Sequence, residues 1–245
     1  MSDSILVILP TYNEIENLSR LAAEIFSPKI PNLEILVVDD QSPDGTGEEA
    51  DRLLADRPGT FHVIHRKPPR GRGLAGIDGF IWARDHGYTL ALEMDADFSH
   101  PPKFIPDLLA PFQDNPAPDL VIGSRYTRGG QIEGWPLWRH INSAVANRAA
   151  KFALGLGPKD CTSGYRCFSR TALEAIPWES LCSTGPAIVE EMLYHFHSAG
   201  LVFVEIPITF IERTQGSSKV SIETILRWMK EVAKIKRNAK SKAHG

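Results

Sequence analysis

The chain has 245 residues, 42% of them hydrophobic and 23% charged, which is the composition of an ordinary soluble globular protein with one large domain. The net charge of −3 argues against a general nucleic-acid-binding protein, and Cys161, Cys167 and Cys182 are too few and too far apart for a disulfide framework or a zinc site. We therefore expect a reducing, cytoplasmic location. There is no signal-peptide pattern, and no window approaches the roughly 18 apolar residues of a membrane span, so we expect contact with a membrane from its surface or through a partner.

Strands and helices alternate along the first 125 residues. Short apolar runs bounded by turn residues predict strands, and helical periodicity between them predicts helices. The predicted strands are Ile5–Leu9, Leu33–Val38, Phe61–His65, Thr89–Met94 and Asp119–Gly123. The first predicted helix contains Leu18–Ile25, and the second ends near Ala55. Two more helices are predicted over Leu74–His86 and Phe104–Phe112. This alternation predicts an α/β fold whose mostly parallel central sheet is built from right-handed βαβ units.

The pattern changes after Arg125. The sequence then predicts a glycine-rich loop over Tyr126–Pro136, a helix over Leu137–Leu154, a strand over Ser163–Ser169, a helix over Ile188–Ser198 and a strand over Val202–Ile206. The apolar extension Pro207–Glu212 leads into the polar loop Arg213–Lys219. From Ser221 we expect an amphipathic helix whose end, Lys234–Lys242, is strongly basic. We therefore divide the chain into a domain over 1–220 and a basic C-terminal helix and tail over 221–245.

Polar residues follow three of the predicted strands at the points where the strands end. Thr11–Glu14 follows the first strand, Asp39–Asp44 the second and Asp95–Asp97 the fourth. In an open α/β sheet, ligands bind in the crevice outside the carboxyl ends of the strands. The sequence therefore predicts a nucleotide site where these segments meet.

Asp95 and Asp97 end an apolar run and are separated by one residue. In an extended strand, side chains two positions apart point to the same side, so both carboxylates would face the crevice. Two hard oxygen donors suit Mg²⁺ or Mn²⁺ that carries a substrate phosphate. The alternative is that Asp97 caps the following helix and Asp95 is a solvated loop residue.

The segment Gly71–Gly76 formally matches the glycine-rich dinucleotide fingerprint. It follows the third strand at a distance, with Pro68 and Pro69 between, whereas the fingerprint follows the first strand directly. We interpret the glycines as a flexible entry to the helix at Leu74, with Arg70 or Arg72 facing a phosphate.

A set of motifs resembles the inverting glycosyltransferases of the GT-A fold and, within them, the polyprenol (dolichol) phosphate mannose synthases. The motifs are Leu9–Glu14, Val38–Thr46, Met94–Asp97, Gly123–Tyr126, Ser163–Cys167 and Gln215–Lys219. The resemblance extends from Ile5 to about Lys230. It implies a Rossmann-like nucleotide-diphospho-sugar transferase fold and the transfer of mannose from GDP-mannose to a polyprenyl or dolichyl monophosphate, with inversion and release of GDP.

The resemblance also implies where the ligands bind. It assigns the nucleotide sugar to about 1–125 and the acceptor to about 126–220, with Mg²⁺ or Mn²⁺ on Asp95 and Asp97. The implied nucleotide-sugar site contains Pro10, Tyr12, Glu14, Val38, Asp39, Asp40, Ser42, Asp44, Asp95 and Ala96. Ser99 departs from relatives that carry glutamine there, so water or the backbone would complete the metal shell. The alternatives are that Asp39 and Asp40 are solvated or cap the next helix, that Asp44 forms a turn, and that Glu14 merely lies in the first helical turn, where a negative charge is favourable.

Transfer to a phosphate needs no general base, because a phosphate monoester has a second pKa of about 6 and is a dianion at pH 7. It needs cations that hold two anions together and stabilise the leaving diphosphate. The candidates for catalysis are Asp97 through the metal, Arg125, Arg213 and Lys219. Arg213 and Lys219 flank a flexible loop that is able to close over substrate. The alternative is an ordinary solvated loop with two surface cations.

Arg139 and Arg166 are candidates for binding the acceptor phosphate, with structural ion pairs as the alternative. The expected partners also include an anionic membrane surface, reached through the basic C-terminal helix at the cytoplasmic face, and a small membrane-anchoring subunit.

Two other functions fit the motifs: a related transferase with another nucleotide sugar, such as UDP-glucose, and a catalytically silent nucleotide-sugar-binding scaffold subunit.

Overall fold

The computed structural model describes residues 3–181, 183, 187–212, 230–235 and 237. The strands are β1 (Ile5–Thr11), β2 (Leu33–Asp39), β3 (Phe61–His65), β4 (Leu90–Glu93), β5 (Leu120–Ser124), β6 (Gln131–Glu133), β7 (Arg166–Ser169), β8 (Phe203–Pro207) and β9 (Thr209–Ile211). The helices are α1 (Ile15–Phe26), α2 (Thr46–Asp56), α3 (Arg72–Asp85), α4 (Ile105–Leu109), α5 (Leu137–Leu154), α6 (Arg170–Ala175) and α7 (Ile188–Ser198).

Seven strands form the central sheet in the order β3-β2-β1-β4-β7-β5-β8. All neighbouring pairs are parallel except those of β7, which runs antiparallel to both β4 and β5. The expected α/β fold with a mostly parallel sheet is confirmed. The strand order reverses beside β1, since β2 and β3 lie on one side of it and β4 on the other. This reversal opens a crevice at the carboxyl ends of β1 and β4.

Both faces of the sheet are covered, so its inner strands read as continuous apolar runs. Leu6, Ile8 and Val38 pack in one core cluster with residues of α3 and α7. Val7 and Leu9 pack on the opposite face with residues of α1, α2 and α4. Burial of each such side chain contributes about 1.5 to 3 kcal/mol, which fixes the register of the strand ends that carry the polar residues.

Several elements differ from the sequence-based expectation. The helix expected over Phe104–Phe112 is a five-residue α4 between two 3₁₀ turns, Pro102–Phe104 and Ala110–Gln113. Prolines at the start of each piece lack the amide hydrogen that a continuous helix needs. The glycine-rich loop contains β6, which pairs in parallel with β9 of the apolar extension. These short strands have no apolar alternation long enough to predict them.

The C-terminal region is described only in part. The loop Arg213–Lys219 and most of the predicted helix from Ser221 lie outside the described residues, as does Cys182. Val232 and Ile235 are described and are buried in the core cluster that also contains Leu154. No helix within the described part of the chain is long and apolar enough to cross a membrane.

Candidate active site

A cleft of about 390 Å³ opens at the carboxyl ends of β1 and β4, where the strand order reverses. The segment after β4 and the start of α3 form its other walls. Its lining residues are Pro10, Thr11, Tyr12, Glu14, Asp40, Arg70, Gly71, Arg72, Ala75, Asp95, Ala96 and Asp97. The structure therefore brings together seven of the predicted nucleotide and metal residues: Pro10, Tyr12, Glu14, Asp40, Asp95, Ala96 and Asp97.

Asp39 lies beneath the cleft and does not line it. Its side chain is buried, and its Oδ1 accepts hydrogen bonds from Thr11 Oγ1 at 3.2 Å and Ser42 Oγ at 2.6 Å, while its Oδ2 accepts one from the Ser42 amide at 3.1 Å. These bonds join the ends of β1 and β2. In this structure Asp39 and Ser42 hold the ends of β1 and β2 together, so the expectation that both contact the nucleotide is not supported by their positions.

Val38 and Asp44 are also turned away from the cleft. The Val38 side chain is fully buried in the core, which leaves only its backbone for ligand contact. The Asp44 carboxylate accepts hydrogen bonds from the Thr46 amide at 3.0 Å, Thr46 Oγ1 at 2.6 Å and the Ile15 amide at 3.2 Å. Desolvation would raise the pKa of Asp44, but the bonds from Thr46 and Ile15 outweigh it and lower that pKa. Asp44 thus joins the starts of α1 and α2, as its turn-forming alternative expected.

Asp40 lines the cleft but its carboxylate is occupied. It forms an ion pair with Arg66 and accepts a hydrogen bond from the Gly71 amide at 2.6 Å. Arg66 also binds Asp78 of α3 at 2.6 Å. This network holds the first residues of α3 against the end of β2, and it positions Arg70 and Arg72 at the cleft.

Tyr12 and Arg70 form the outer edge of the cleft. The Tyr12 ring is 46% exposed, the Arg70 guanidinium lies 5.2 Å from its centroid, and Arg70 Nη1 donates to Tyr12 Oη at 3.1 Å. Arg70 Nη2 also donates to the Gln41 carbonyl at 2.9 Å. A half-exposed aromatic face beside a cation is a platform for a nucleobase or an anion.

The two central carboxylates do not lie on a strand. β4 ends at Glu93, and Asp95, Ala96 and Asp97 follow in a bend in which Phe98 has a φ of +61°. The expectation that an extended strand aims both carboxylates the same way is therefore wrong. The bend nevertheless brings both to the cleft.

Asp95 and Asp97 have different surroundings. Asp95 Oδ1 accepts from Arg72 Nε at 2.7 Å and also from Arg72 Nη2, while the Asp95 amide donates to His100 Nδ1 at 3.0 Å. Asp97 Oδ1 accepts from the Ser99 amide at 3.0 Å. Desolvation lowers the pKa of the buried His100, which is consistent with a neutral ring that accepts at Nδ1.

These residues fit a divalent cation that brings part of its own coordination shell. Within the described ranges, no group of three or more His, Cys, Asp and Glu side chains is arranged to hold a metal ion. Mg²⁺ is commonly held by one or two carboxylates together with substrate phosphates and water, and Asp95 and Asp97 at the cleft supply such a pair. The Ser99 side chain is buried, so it is a poor candidate for completing the shell.

An aromatic cluster, His100, Trp135 and Phe210, connects the carboxylate pair to two arginines. His100 Nδ1 lies 3.5 Å from Asp95 Oδ2, and the His100 and Phe210 ring centroids are 5.6 Å apart. The Arg125 guanidinium lies 5.5 Å from the Phe210 ring and 5.6 Å from that of Trp135. Arg139 lies 4.5 Å over Trp135. These contacts link both arginines, which belong to the second half of the chain, to the carboxylate pair through the aromatic cluster.

The guanidinium of Arg125 is hydrogen-bonded to other side chains of the protein. Its Nε donates to Asp160 Oδ2 at 2.8 Å, and its Nη2 donates to Asp160 Oδ1 and Thr162 Oγ1, both at 2.7 Å. Both charged side chains are buried. The structure therefore does not present Arg125 as a ready cation for the diphosphate, because most of its donors are already used.

The other predicted cations have three different outcomes. Arg166 is fully buried and donates to the carbonyls of Val189 at 3.0 Å and Cys161 at 2.9 Å, so the expectation that it binds the acceptor phosphate is wrong for this conformation. Arg139 is partly exposed and forms an ion pair with Glu212. Arg213 and Lys219 lie outside the described residues.

Comparison with known proteins is consistent with this geometry. The family model for Glycosyl transferase family 2 matches residues 6–176. The chain belongs to glycosyl transferase family 2. This glycosyltransferase is 42% identical to the polyprenol monophosphomannose synthase of Mycolicibacterium smegmatis over 93% of its own length and 85% of that protein. It is 40% identical to the undecaprenyl-phosphate mannosyltransferase of Micrococcus luteus, covering 91% and 93% of the two chains.

Two further relatives extend the comparison. The glycosyltransferase is 36% identical to the dolichol-phosphate mannosyltransferase of Pyrococcus furiosus over 94% of its length, but it spans only 62% of that longer protein. Among solved structures, the glucosyl-3-phosphoglycerate synthase of Mycobacterium tuberculosis in complex with Mn²⁺ and UDP-glucose superimposes with a TM-score of 0.65 at 19% identity, covering 95% and 77% of the chains. At that identity the likeness shows the shared fold alone.

Sequence reasoning missed several residues that the glycosyltransferase uses to build this site. Asp160 was missed because its partner Arg125 is 35 positions away, and no local pattern links them. Glu93 was read as part of an apolar strand, yet it is a buried carboxyl group beneath the cleft, and desolvation raises its pKa. The sequence indicates this role of Glu93 only by its position two residues before Asp95.

Proposed function

We propose that this glycosyltransferase transfers mannose from GDP-mannose to a polyprenyl or dolichyl monophosphate, with inversion at the sugar, and releases GDP. The observation that carries the proposal is the 42% identity to a polyprenol monophosphomannose synthase over 93% of this chain. The chain also covers 85% of that protein. A mannosyltransferase name recurs in the relatives at 40% and 36% identity.

The donor would lie along the cleft with its base at the outer edge. The exposed Tyr12 ring and the Arg70 guanidinium supply a stacking surface and a positive charge there. The diphosphate would then extend inward toward Asp95 and Asp97. Glu14, which lines the cleft, would meet the ribose, and Pro10 and Ala96 would provide apolar walls.

Mg²⁺ or Mn²⁺ is the proposed cofactor, held by Asp95 and Asp97 and completed by phosphate oxygens and water. A divalent ion bound there stabilises negative charge on the leaving diphosphate. A solved structure of the same fold contains Mn²⁺ together with UDP-glucose, which supports a divalent ion in general. Asp97 is the better candidate for the principal ligand, because Asp95 is engaged by Arg72.

The acceptor phosphate would enter from the side of Arg139 and the aromatic cluster. As a dianion it attacks the anomeric carbon opposite the diphosphate without a protein base. Arg139 is a partly exposed cation on that side, and it would exchange its Glu212 partner for the phosphate. Arg125, fixed by Asp160, acts in this account by positioning Trp135 and Phe210. Arg213 and Lys219 are proposed to close over the phosphates.

Helix α5 supports attachment to a membrane surface. Its sequence contains no Asp or Glu but includes Arg139, Arg148 and Lys151. Five of its apolar side chains are exposed, by 52% to 93%: Leu137, Trp138, Ile141, Val145 and Phe152. Apolar side chains with basic neighbours favour the interface of an anionic bilayer. We propose peripheral attachment at the cytoplasmic face through α5 and the basic region 221–245, with a small membrane-anchoring subunit as a further partner.

A donor panel tests the proposed function. Purified protein, Mn²⁺ and undecaprenyl phosphate in detergent are incubated with labelled GDP-mannose, UDP-glucose or UDP-mannose, and the lipid extract is counted. GDP-mannose should give the highest rate of transfer. Transfer from UDP-glucose alone would assign the protein to a related transferase, and binding of nucleotide sugars without any transfer would assign it to the scaffold class.

A further inference from the structure

One cation of the cleft, Arg72, is paired with Asp95. Arg72 is the first residue of α3, and its guanidinium bridges to Asp95 Oδ1 through both Nε and Nη2. The preceding Gly71 amide is fixed to Asp40 at 2.6 Å. The start of the helix is therefore anchored, and the side chain reaches across the cleft from a fixed base.

Glycines leave room for the Arg72 guanidinium and for the carboxyl group of Glu93 next to it. A Cβ atom at Gly164 would lie 2.8 Å from Arg72 Nη2, so any other residue there would displace the guanidinium. The carboxyl group of Glu93 lies close beneath, in room left by Gly76. A guanidinium stays protonated in proteins, so Arg72 is a permanent positive charge beside Asp95.

We infer that, in the enzyme without ligands, Arg72 supplies the positive charge that the divalent ion would supply. We also infer that Arg72 releases Asp95 when the ion binds together with the donor. This inference rests on the proposed metal site. A guanidinium and a divalent cation repel each other on one carboxylate, and without either the cleft would hold uncompensated acidic groups. The released guanidinium has the planar fork that matches a phosphate, and the donor diphosphate is the anion that enters beside it.

The arrangement gives Arg72 two effects of opposite sign. It competes with a free divalent ion for Asp95, which keeps the ion from binding tightly before the donor is present. It then strengthens binding of the diphosphate once the ion is seated. A residue that merely braces the cleft would change both affinities in the same direction.

Mn²⁺ titration of the free protein, followed by electron paramagnetic resonance, tests the competition. Arg72→Gln should bind Mn²⁺ about 10-fold more tightly than the unmodified protein, because the competing charge is removed from Asp95. Arg70→Gln is the matched control, since Arg70 lines the same cleft but binds Tyr12 and the Gln41 carbonyl. Its effect on Mn²⁺ affinity should stay within about 3-fold.

Inorganic pyrophosphate at saturating Mn²⁺ tests the second effect without depending on the donor base. Arg72→Gln should bind pyrophosphate about 10-fold more weakly, the opposite direction to its Mn²⁺ affinity. Arg72→Lys, which keeps the charge, should show smaller changes of the same signs and serves if Arg72→Gln does not fold. Mn²⁺ affinity in both variants no higher than in the Arg70→Gln control would overturn the inference, even if mannosyl transfer is established.

Discussion

At the level of single residues, the side of the site formed by the second half of the chain depends on one buried ion pair. Arg125 and Asp160 are paired in a buried setting, and Thr162 takes a further hydrogen bond. Removing one member of such a pair leaves a charge uncompensated in the interior, which costs about 3 to 5 kcal/mol. Asp160→Asn should lower the free energy of unfolding by that amount in urea at pH 7. Asp51→Asn, which removes an exposed partner of His65, should change it by less than about 1 kcal/mol.

The same pair predicts a dependence on pH. Burial would raise the pKa of Asp160, but the charge and hydrogen bonds of Arg125 outweigh it and lower that pKa. A lowered folded-state pKa means that the pair contributes full stability above the unfolded value of about 3.9 and loses it as the pH falls through the folded value. Asp160→Asn should therefore lose less stability than the unmodified protein between pH 5 and pH 3. An identical loss in both proteins would contradict the role given to the pair.

Asp97 tests the metal assignment. Asp97→Asn keeps the size of the side chain and its ability to accept from the Ser99 amide, but removes the charge that would bind the ion. We expect transfer to fall by 100-fold or more, on the order of the loss seen when one preorganised electrostatic group is removed. Nucleotide binding should also lose its enhancement by Mn²⁺. Asp85→Asn, which removes an exposed partner of Arg84 far from the cleft, should leave both unchanged. Normal turnover in Asp97→Asn would refute the assignment.

The sequence predicts residues of the site when their chemistry lies at a strand end, as for Asp40, Asp95 and Asp97. It fails where a long-range partner decides the role. Asp39 and Asp40 are adjacent and chemically alike, yet only Asp40 lines the cleft, because Thr11 and Ser42 hold the carboxylate of Asp39 beneath it. The burial of Arg166 follows from the antiparallel placement of β7 inside the sheet, which no local pattern shows.

At the level of elements, α3 is held close to β1 and β4 by its glycines. A Cβ at Gly76 would lie 2.4 Å from Glu93 Oε1, which is buried and has little room to move. Gly76→Ala should therefore destabilise the fold by about 1 to 3 kcal/mol, measured by urea unfolding, through overpacking. In α2, a Cβ at Gly47 meets the partly exposed His65 ring at 3.3 Å, so Gly47→Ala is a milder control. Equal costs at the two positions would show that the contact with Glu93 is unimportant.

The exposed apolar side chains of helix α5 are predicted to bind the surface of an anionic membrane. Ile141→Gln combined with Phe152→Gln should reduce binding to vesicles of anionic lipid by roughly 10-fold or more, because two exposed apolar side chains no longer enter the interface. Ala146→Gln changes an exposed position on another side of the helix and should bind normally. Co-sedimentation with vesicles measures the difference. Unchanged binding of the double variant would move the attachment elsewhere on the chain.

Elements with strong periodicity were predictable, and weak ones were not. The bounds of β3, α5 and α7 agree with the sequence because apolar spacing and turn residues mark both ends. The bend after Glu93 was hidden, since the apolar run continues to Met94 and the positive φ of Phe98 leaves no signal in the sequence. β6 and β9 exist only by pairing with each other across about 80 residues, a relation set by the tertiary fold.

At the level of the whole molecule, two surfaces matter for the proposed function: the cleft and the exposed face of α5. In the proposed function the cleft between β1, β4 and α3 would take the nucleotide sugar, and α5 would rest on the membrane that holds the acceptor lipid. Tyr126 Oη donates to Ser143 Oγ of α5 at 2.7 Å, so α5 packs against the segment that holds Arg125. A lipid phosphate at the bilayer surface would then lie within reach of a donor in the cleft.

The anomeric configuration of the product tests the central claim most directly. GDP-α-mannose and a short polyprenyl phosphate are incubated with the protein and Mn²⁺, and the mannosyl phospholipid is analysed by NMR at the anomeric carbon. Attack by the phosphate opposite the diphosphate predicts β-mannosyl phosphate as the sole product, formed by the unmodified protein and not by Asp97→Asn. An α-linked product, or equal transfer by both proteins, would contradict the account.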